Sequence, residues 1–191
     1  MKITTIEFLK GVIGSENLPQ PERPTIAFFG RSNVGKSSIL NCLAGKVVAR
    51  ANQKPGRTTE INYYLANENV YLADLPGYGF AKLPEALRKK ISGYLSWFAA
   101  DQRIDLRLAV LAVDAEIGVK TSDLETFQLL QEYKRPIVIL ANKADKGGRN
   151  AMAKSIQILK TTFAPVSVIR FSAKTGEGKN ELLELMGQKL A

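Results

Sequence analysis

Short apolar runs alternate with amphipathic helical windows along most of this chain, and few folds accept that order. The strand-like runs are Ile26–Phe29, Ile61–Leu65, Val70–Ala73, Leu106–Val113, Ile137–Ala141 and Val166–Phe171. Between them Leu87, Ile91, Tyr94, Leu95 and Phe98 fall on one helical face. Met152, Ile156, Leu159 and Phe163 do the same, as do Leu182, Leu183, Met186 and Leu190. Leu106–Val113 and Ile137–Ala141 are mostly apolar rather than alternating, as a strand must be when helices cover both its faces. Ile61–Leu65 alternates around Asn62 and Tyr64, which suits an edge strand. The order predicts a three-layer α/β domain with a six-stranded, mostly parallel sheet, one antiparallel edge strand and about five helices. Residues 1–24, with three prolines after Asn17, read as a short strand and linker, and residues 25–191 as the domain. In such sheets ligands bind at the carboxyl ends of the strands, and that is where the polar motifs fall.

Several chemistries are excluded by composition. The chain has no histidine, so Ser-His-Asp catalysis, Cys-His nucleophiles and histidine metal sites are out. Its single cysteine, Cys42, closes no internal disulfide and builds no thiolate zinc site. The longest apolar run, Leu108–Val113, is far shorter than the ~20 residues of a membrane span, and Glu7 interrupts the stretch a signal peptide would need apolar. A cytoplasmic protein without membrane contact is expected. The 27 basic residues outnumber the 18 acidic ones, for a net charge of +9. The excess is clustered. Arg31, Lys36, Lys46, Arg50, Lys54 and Arg57 occupy a stretch with no acidic residue, and from Lys134 to Lys174 only Asp145 opposes the basic side chains. That imbalance favours a polyanionic partner.

Gly30-Arg31-Ser32-Asn33-Val34-Gly35-Lys36-Ser37 matches G-x-x-x-x-G-K-[ST] between a strand and a helical run. The glycines let the backbone curl so that successive N–H groups face a phosphate, and the helix start adds its positive end. Lys36 would reach the β- and γ-phosphates, and the Ser37 hydroxyl would ligate Mg²⁺. A chance match in a chain this size arises at roughly the one-percent level. Asp74-Leu75-Pro76-Gly77 ends the Val70–Ala73 strand, where the carboxylate can hold the Mg²⁺ shell and the Gly77 amide can sense a γ-phosphate. Asn142-Lys143-Ala144-Asp145 ends another strand. A carboxylate at Asp145 accepts from guanine N1–H and its 2-amino group, whereas adenine would leave it unpaired at a cost of ~1–3 kcal/mol. Asn142 can bond the other base edge and the Lys143 stem can cover its face. Ser172-Ala173-Lys174, after the last strand and with Phe171 at its end, offers a backbone N–H to a guanine carbonyl.

In this order the elements resemble the translation-factor-like P-loop GTPases, with a Ras-like G domain. The fine detail resembles one branch, the EngB GTPases of bacterial large-subunit ribosome assembly. The residues that carry it are Gly30–Ser38, Pro55–Thr58 with Ile61-Asn62, Asp74–Ala81, Asn142–Asp145 and Ser172–Lys174. The resemblance implies binding of GTP and GDP with Mg²⁺, and a first switch loop containing Gly56, Arg57 and Thr58, with Thr58 ligating Mg²⁺ beside Ser37 and Asp74. It implies slow hydrolysis served by Lys36 and Thr58, and a partner in the large ribosomal subunit or its precursor, met as a monomer. Asn33 resembles a P-loop asparagine that holds K⁺ in cation-dependent relatives. One departure is Thr59, where glutamine is usual. Tyr78 stands where many GTPases carry a water-orienting glutamine, and its ring cannot present a carboxamide. Two rival readings are a nucleotide-gated RNA or protein binding module without functional hydrolysis, and a P-loop nucleotide kinase, which lacks an arginine-rich lid and leaves Asn142–Asp145 unexplained.

Overall fold

The computed structural model describes residues 1–14, 17–49, 60–79 and 84–191. In chain order they form β1 (Ile6–Val12), β2 (Thr25–Gly30), α1 (Lys36–Ala44), β3 (Ile61–Ala66), β4 (Val70–Asp74), α2 (Glu85–Ala100), β5 (Leu106–Asp114), α3 (Thr121–Glu132), β6 (Ile137–Asn142), α4 (Arg149–Thr162), β7 (Val168–Arg170) and α5 (Lys179–Leu190). One sheet runs β1-β3-β4-β2-β5-β6-β7. Neighbours from β4 to β7 pair in parallel, and β3 alone runs against both of its neighbours.

The continuous apolar runs are explained by the two layers they serve. Phe28 and Phe29 are adjacent on β2 and point to opposite faces, so both must be apolar. Phe29 joins Phe98, Leu111, Phe127, Leu130, Leu159 and Phe163 in the core beneath α2, α3 and α4. Phe28 joins Ile39, Leu40, Val110, Leu182 and Met186 in the core beneath α1 and α5.

Among the described residues the sheet has seven strands rather than the expected six, and its edge is β1 rather than β3. Only Ile6 and Val12 of β1 are buried, while Phe8 and Leu9 face solvent. The pairing with β3 shifts register between Phe8 and Lys10. A bulge there destroys the two-residue alternation by which a strand is read from sequence. Covered by β1, Tyr64 of β3 is buried, with the Phe8 ring edge-on at 5.7 Å. Among the described residues no helix is long and apolar enough to cross a membrane.

Apolar strands that end in a polar residue deliver the site. The carboxyl ends of β2, β4, β5 and β6 carry Gly30, Asp74, Asp114 and Asn142, and the last two are paired across the sheet.

Candidate functional site

The loop Gly30–Ser37 joins β2 to α1. Gly35 precedes the helix at φ 104°, in the region that favours glycine, and a Cβ there would lie 2.6 Å from Asn142 Nδ2. Without a side chain at 35, Asn142 reaches under the loop. Its Nδ2 donates to the Val34 carbonyl at 2.8 Å, and its Oδ1 accepts from the Ala173 amide at 3.2 Å. Asn142 is buried. It therefore ties the phosphate-type loop, the end of β6 and the loop after β7 into one unit.

Lys36 is buried and its Nζ donates to the Gly30 carbonyl at 3.1 Å. Burial pushes its pKa down, and Asp74 pulls the other way. Ser37 Oγ donates to Asp74 Oδ2 at 3.0 Å. Burial pushes the Asp74 carboxyl up, opposed by Lys36 and by the Ser37 bond. The other oxygen, Asp74 Oδ1, is buried with no hydrogen-bond partner among the described residues. A hydroxyl beside an orphaned carboxylate oxygen is a hard-oxygen donor pair of the kind Mg²⁺ takes together with waters and phosphate, so these residues fit that ion.

The Lys143 ammonium is held by two partners. Its Nζ donates to the Asn33 carbonyl at 2.8 Å and pairs with Asp114 Oδ2 at 2.7 Å. Asp114 Oδ1 accepts from the amides of Glu116 and Ile117. Asp145 is exposed, and its Oδ1 accepts from Ser172 Oγ at 2.6 Å. That bond holds the carboxyl below its ordinary pKa, with Lys174 and Lys146 adding to the effect. Asp145 is thus an exposed, charged acceptor.

The expected residues divide by what they present. The side chains of Val34, Leu75, Ala144 and Phe171 are packed in the interior, so only their backbone can face a ligand. Pro76 is also buried, and Asn33 and Lys174 are exposed. Ser32 is turned toward the segment after β4, its Oγ donating to the Gly77 carbonyl at 3.0 Å and its amide to the Tyr78 carbonyl at 2.9 Å. Arg31 and Tyr78 both meet Asp123 of α3. Gly56, Arg57 and Thr58, with Arg50 and Lys54, lie outside the described residues. Two buried carboxylates, Asp114 and Asp123, were not singled out from sequence. Asp114 had a signal, an acidic residue closing an apolar run in the same way as Asp74.

A nucleotide-type loop at the end of β2, an acidic residue at the end of β4 and an Asn-Lys-x-Asp loop at the end of β6 define a P-loop GTPase. A sequence profile described as "50S ribosome-binding GTPase" matches residues 25–143, and one for the elongation factor Tu GTP binding domain matches residues 102–191. The "Probable GTP-binding protein EngB" of Natranaerobius thermophilus is 38% identical over 194 residues, covering 97% of this chain and 98% of its own. That of Aquifex aeolicus is 36% identical over 168 residues, covering 88% and 92%. A crystal structure of a probable GTP-binding protein engB superposes with a TM-score of 0.72 at 29% identity, over 87% of this chain and 98% of that one. The G domain of the T. maritima FeoB iron transporter shares the fold, with a TM-score of 0.60 at 23% identity over 89% of this chain and 100% of that one. The chain belongs to the EngB family of GTP-binding proteins, and it is a GTP-hydrolysing enzyme.

Proposed function

We propose that this GTPase is a switch that binds the large ribosomal subunit or its precursor in the GTP state and leaves in the GDP state. It would act as a cytoplasmic monomer during subunit assembly, on which normal growth and cell division depend. The observation that carries the reading is a match to the "50S ribosome-binding GTPase" profile on a chain of net charge +9. A domain with that excess gains affinity for an RNA-rich surface from counterion release.

In this reading the amides of Asn33, Gly35 and Lys36 cradle the phosphates, those of Ser32 and Val34 being bonded to the Tyr78 and Arg31 carbonyls, and Lys36 exchanges the Gly30 carbonyl for β- and γ-oxygens. Ser37 and Asp74, with Thr58, would hold Mg²⁺, which when bound would supply charge neutralisation at the phosphates. The Gly77 amide meets the γ-phosphate. Asp145 accepts from guanine, Asn142 holds the loop carrying Ala173 and the P-loop in place beside it, and Lys143 covers the ring. Asn33 is the residue toward K⁺. With tyrosine in place of the water-orienting glutamine, unassisted turnover would be of the order of 10⁻⁴–10⁻³ s⁻¹ or slower. Arg50, Lys54 and Arg57 precede Thr58 in sequence, so a loop that answers to GTP also carries charge toward RNA.

Sedimentation with ribosomal subunits tests this. The protein should pellet with the large subunit or its precursor with a non-hydrolysable GTP analogue and not with GDP, and should release as salt rises. Equal binding in both nucleotides, or indifference to salt, would overturn it.

A further inference from the structure

Gly77 and Tyr78 are joined to the P-loop along the backbone. Arg31 and Tyr78 form a parallel bridge that continues the pairing of β2 with β4, and Ser32 bonds both carbonyls. The approach is so close that a Cβ on Gly77 would lie 2.8 Å from Ser32 Cα. The Tyr78 side chain then leaves the nucleotide side altogether. It is 8% exposed and packs in the core beneath α2 and α3. Its hydroxyl donates to Asp123 Oδ1 at 3.2 Å, and burial pushes the phenol well above its ordinary pKa, so it stays a donor. Asp123 is 0% exposed. Its Oδ2 accepts from the Lys120 amide at 3.0 Å, which anchors it to the first turn of α3, and lies 3.2 Å from Arg31 Nε. Arg31 Nη2 continues to the Gly118 carbonyl at 3.3 Å. One buried carboxylate thus grips the second residue of the P-loop and the residue after Gly77.

We propose that Asp123 is a positioning residue for hydrolysis: from α3, through Tyr78 and Arg31, it seats Gly77 against the P-loop where its amide meets the γ-phosphate. The inference rests on the reading of Gly77 given above. It makes Tyr78 an anchor, not a group that touches water or phosphate. It also gives α3 a mechanical route to the site, since any movement of its first turn is transmitted to Gly77 through two side chains.

Single-turnover and steady-state GTP hydrolysis would be measured for wild type, Tyr78→Phe, Asp123→Asn, their double variant and Gly77→Ala. Expected is a fall in kcat of at least about ten-fold in Tyr78→Phe and Asp123→Asn, the size of one lost charge-assisted hydrogen bond. KM should stay within about two-fold of wild type, and the double variant should be no slower than the worse single. A purely structural contact would lower the melting temperature and leave kcat alone. Should Asp123→Asn fail to fold, Tyr78→Phe decides by itself, because the ring keeps its packing. Wild-type kcat in Tyr78→Phe, or multiplying effects in the double variant, would overturn the proposal while Gly77→Ala still abolishes turnover. Full turnover in Gly77→Ala would instead remove the reading of Gly77, and this proposal with it.

Discussion

Replacing Asn142 with alanine cuts the tie between the three loops of the site. The side chain makes two bonds, to the Val34 carbonyl at 2.8 Å and from the Ala173 amide at 3.2 Å, and is 2% exposed. Each bond made contributes about 0.5–1.5 kcal/mol net, and each buried group left without a partner costs about 1–3 kcal/mol. Ala173 is half-buried, so water recovers part of the loss at its amide, while Val34 is buried. The sum is about 2–4 kcal/mol. In a domain of this size each kcal/mol moves Tm by about 2–4 °C, so the nucleotide-free midpoint should fall by roughly 4–16 °C. Because the severed loops are those that enclose the base and phosphates, GDP affinity should fall as well, by at least about ten-fold for each 1.4 kcal/mol expressed in binding. Gly35→Ala should move both quantities the same way, since its new Cβ would displace Asn142 Nδ2. Calorimetric melting without nucleotide and titration with Mg·GDP measure the two effects. A melting point within about 2 °C of wild type together with an unchanged GDP affinity would refute the reasoning.

Asp114→Asn keeps an acceptor for the Glu116 and Ile117 amides but removes the charge facing Lys143, so GDP affinity measured by titration should drop about ten-fold with a modest loss of Tm. Asp145 has a folded pKa below its unfolded value of about 3.9, so its contribution is present above that value and is lost as pH falls through the folded pKa. Ser172→Ala removes the main cause of the depression, so the acid loss of GDP binding should begin at a higher pH than in wild type. If Asn33 engages K⁺, wild-type turnover should be faster in KCl than in NaCl and the difference should vanish in Asn33→Ala.

Contiguous features were the legible ones. The central strands are legible because both faces of the sheet require them to be apolar, as Phe28 and Phe29 illustrate, and Ile61–Leu65 is legible by its alternation. Lys36, Ser37, Asp74, Asn142 and Asp145 stood out because a phosphate cradle and a base-reading loop are written in consecutive residues. β1 is hard to read in the sequence because its bulge leaves Phe8 and Leu9 exposed and hides the period. β7 is shorter than the apolar run that marks it, since Val166 turns back to the Phe163 carbonyl before pairing begins. The interior of Asp123 was invisible for a different reason. Its partners Tyr78 and Arg31 come from other elements, and no local pattern in α3 distinguishes a buried acceptor from an ordinary first-turn carboxylate. Tyr78 showed in sequence only that the usual glutamine is missing, and its anchoring role needed the fold.

Nucleotide preference is the most direct test of the site. Competition binding of GDP, ADP and XDP would be compared in wild type and in Asp145→Asn. Guanine presents two donors to the Asp145 carboxylate, while xanthine replaces one of them with a carbonyl that an amide can meet. The wild-type protein should therefore bind GDP far more tightly than ADP or XDP, and Asp145→Asn should lose GDP affinity and gain it for XDP. ADP binding as tight as GDP in wild type, or an unchanged order of preference in Asp145→Asn, would contradict the assignment of this site to guanine.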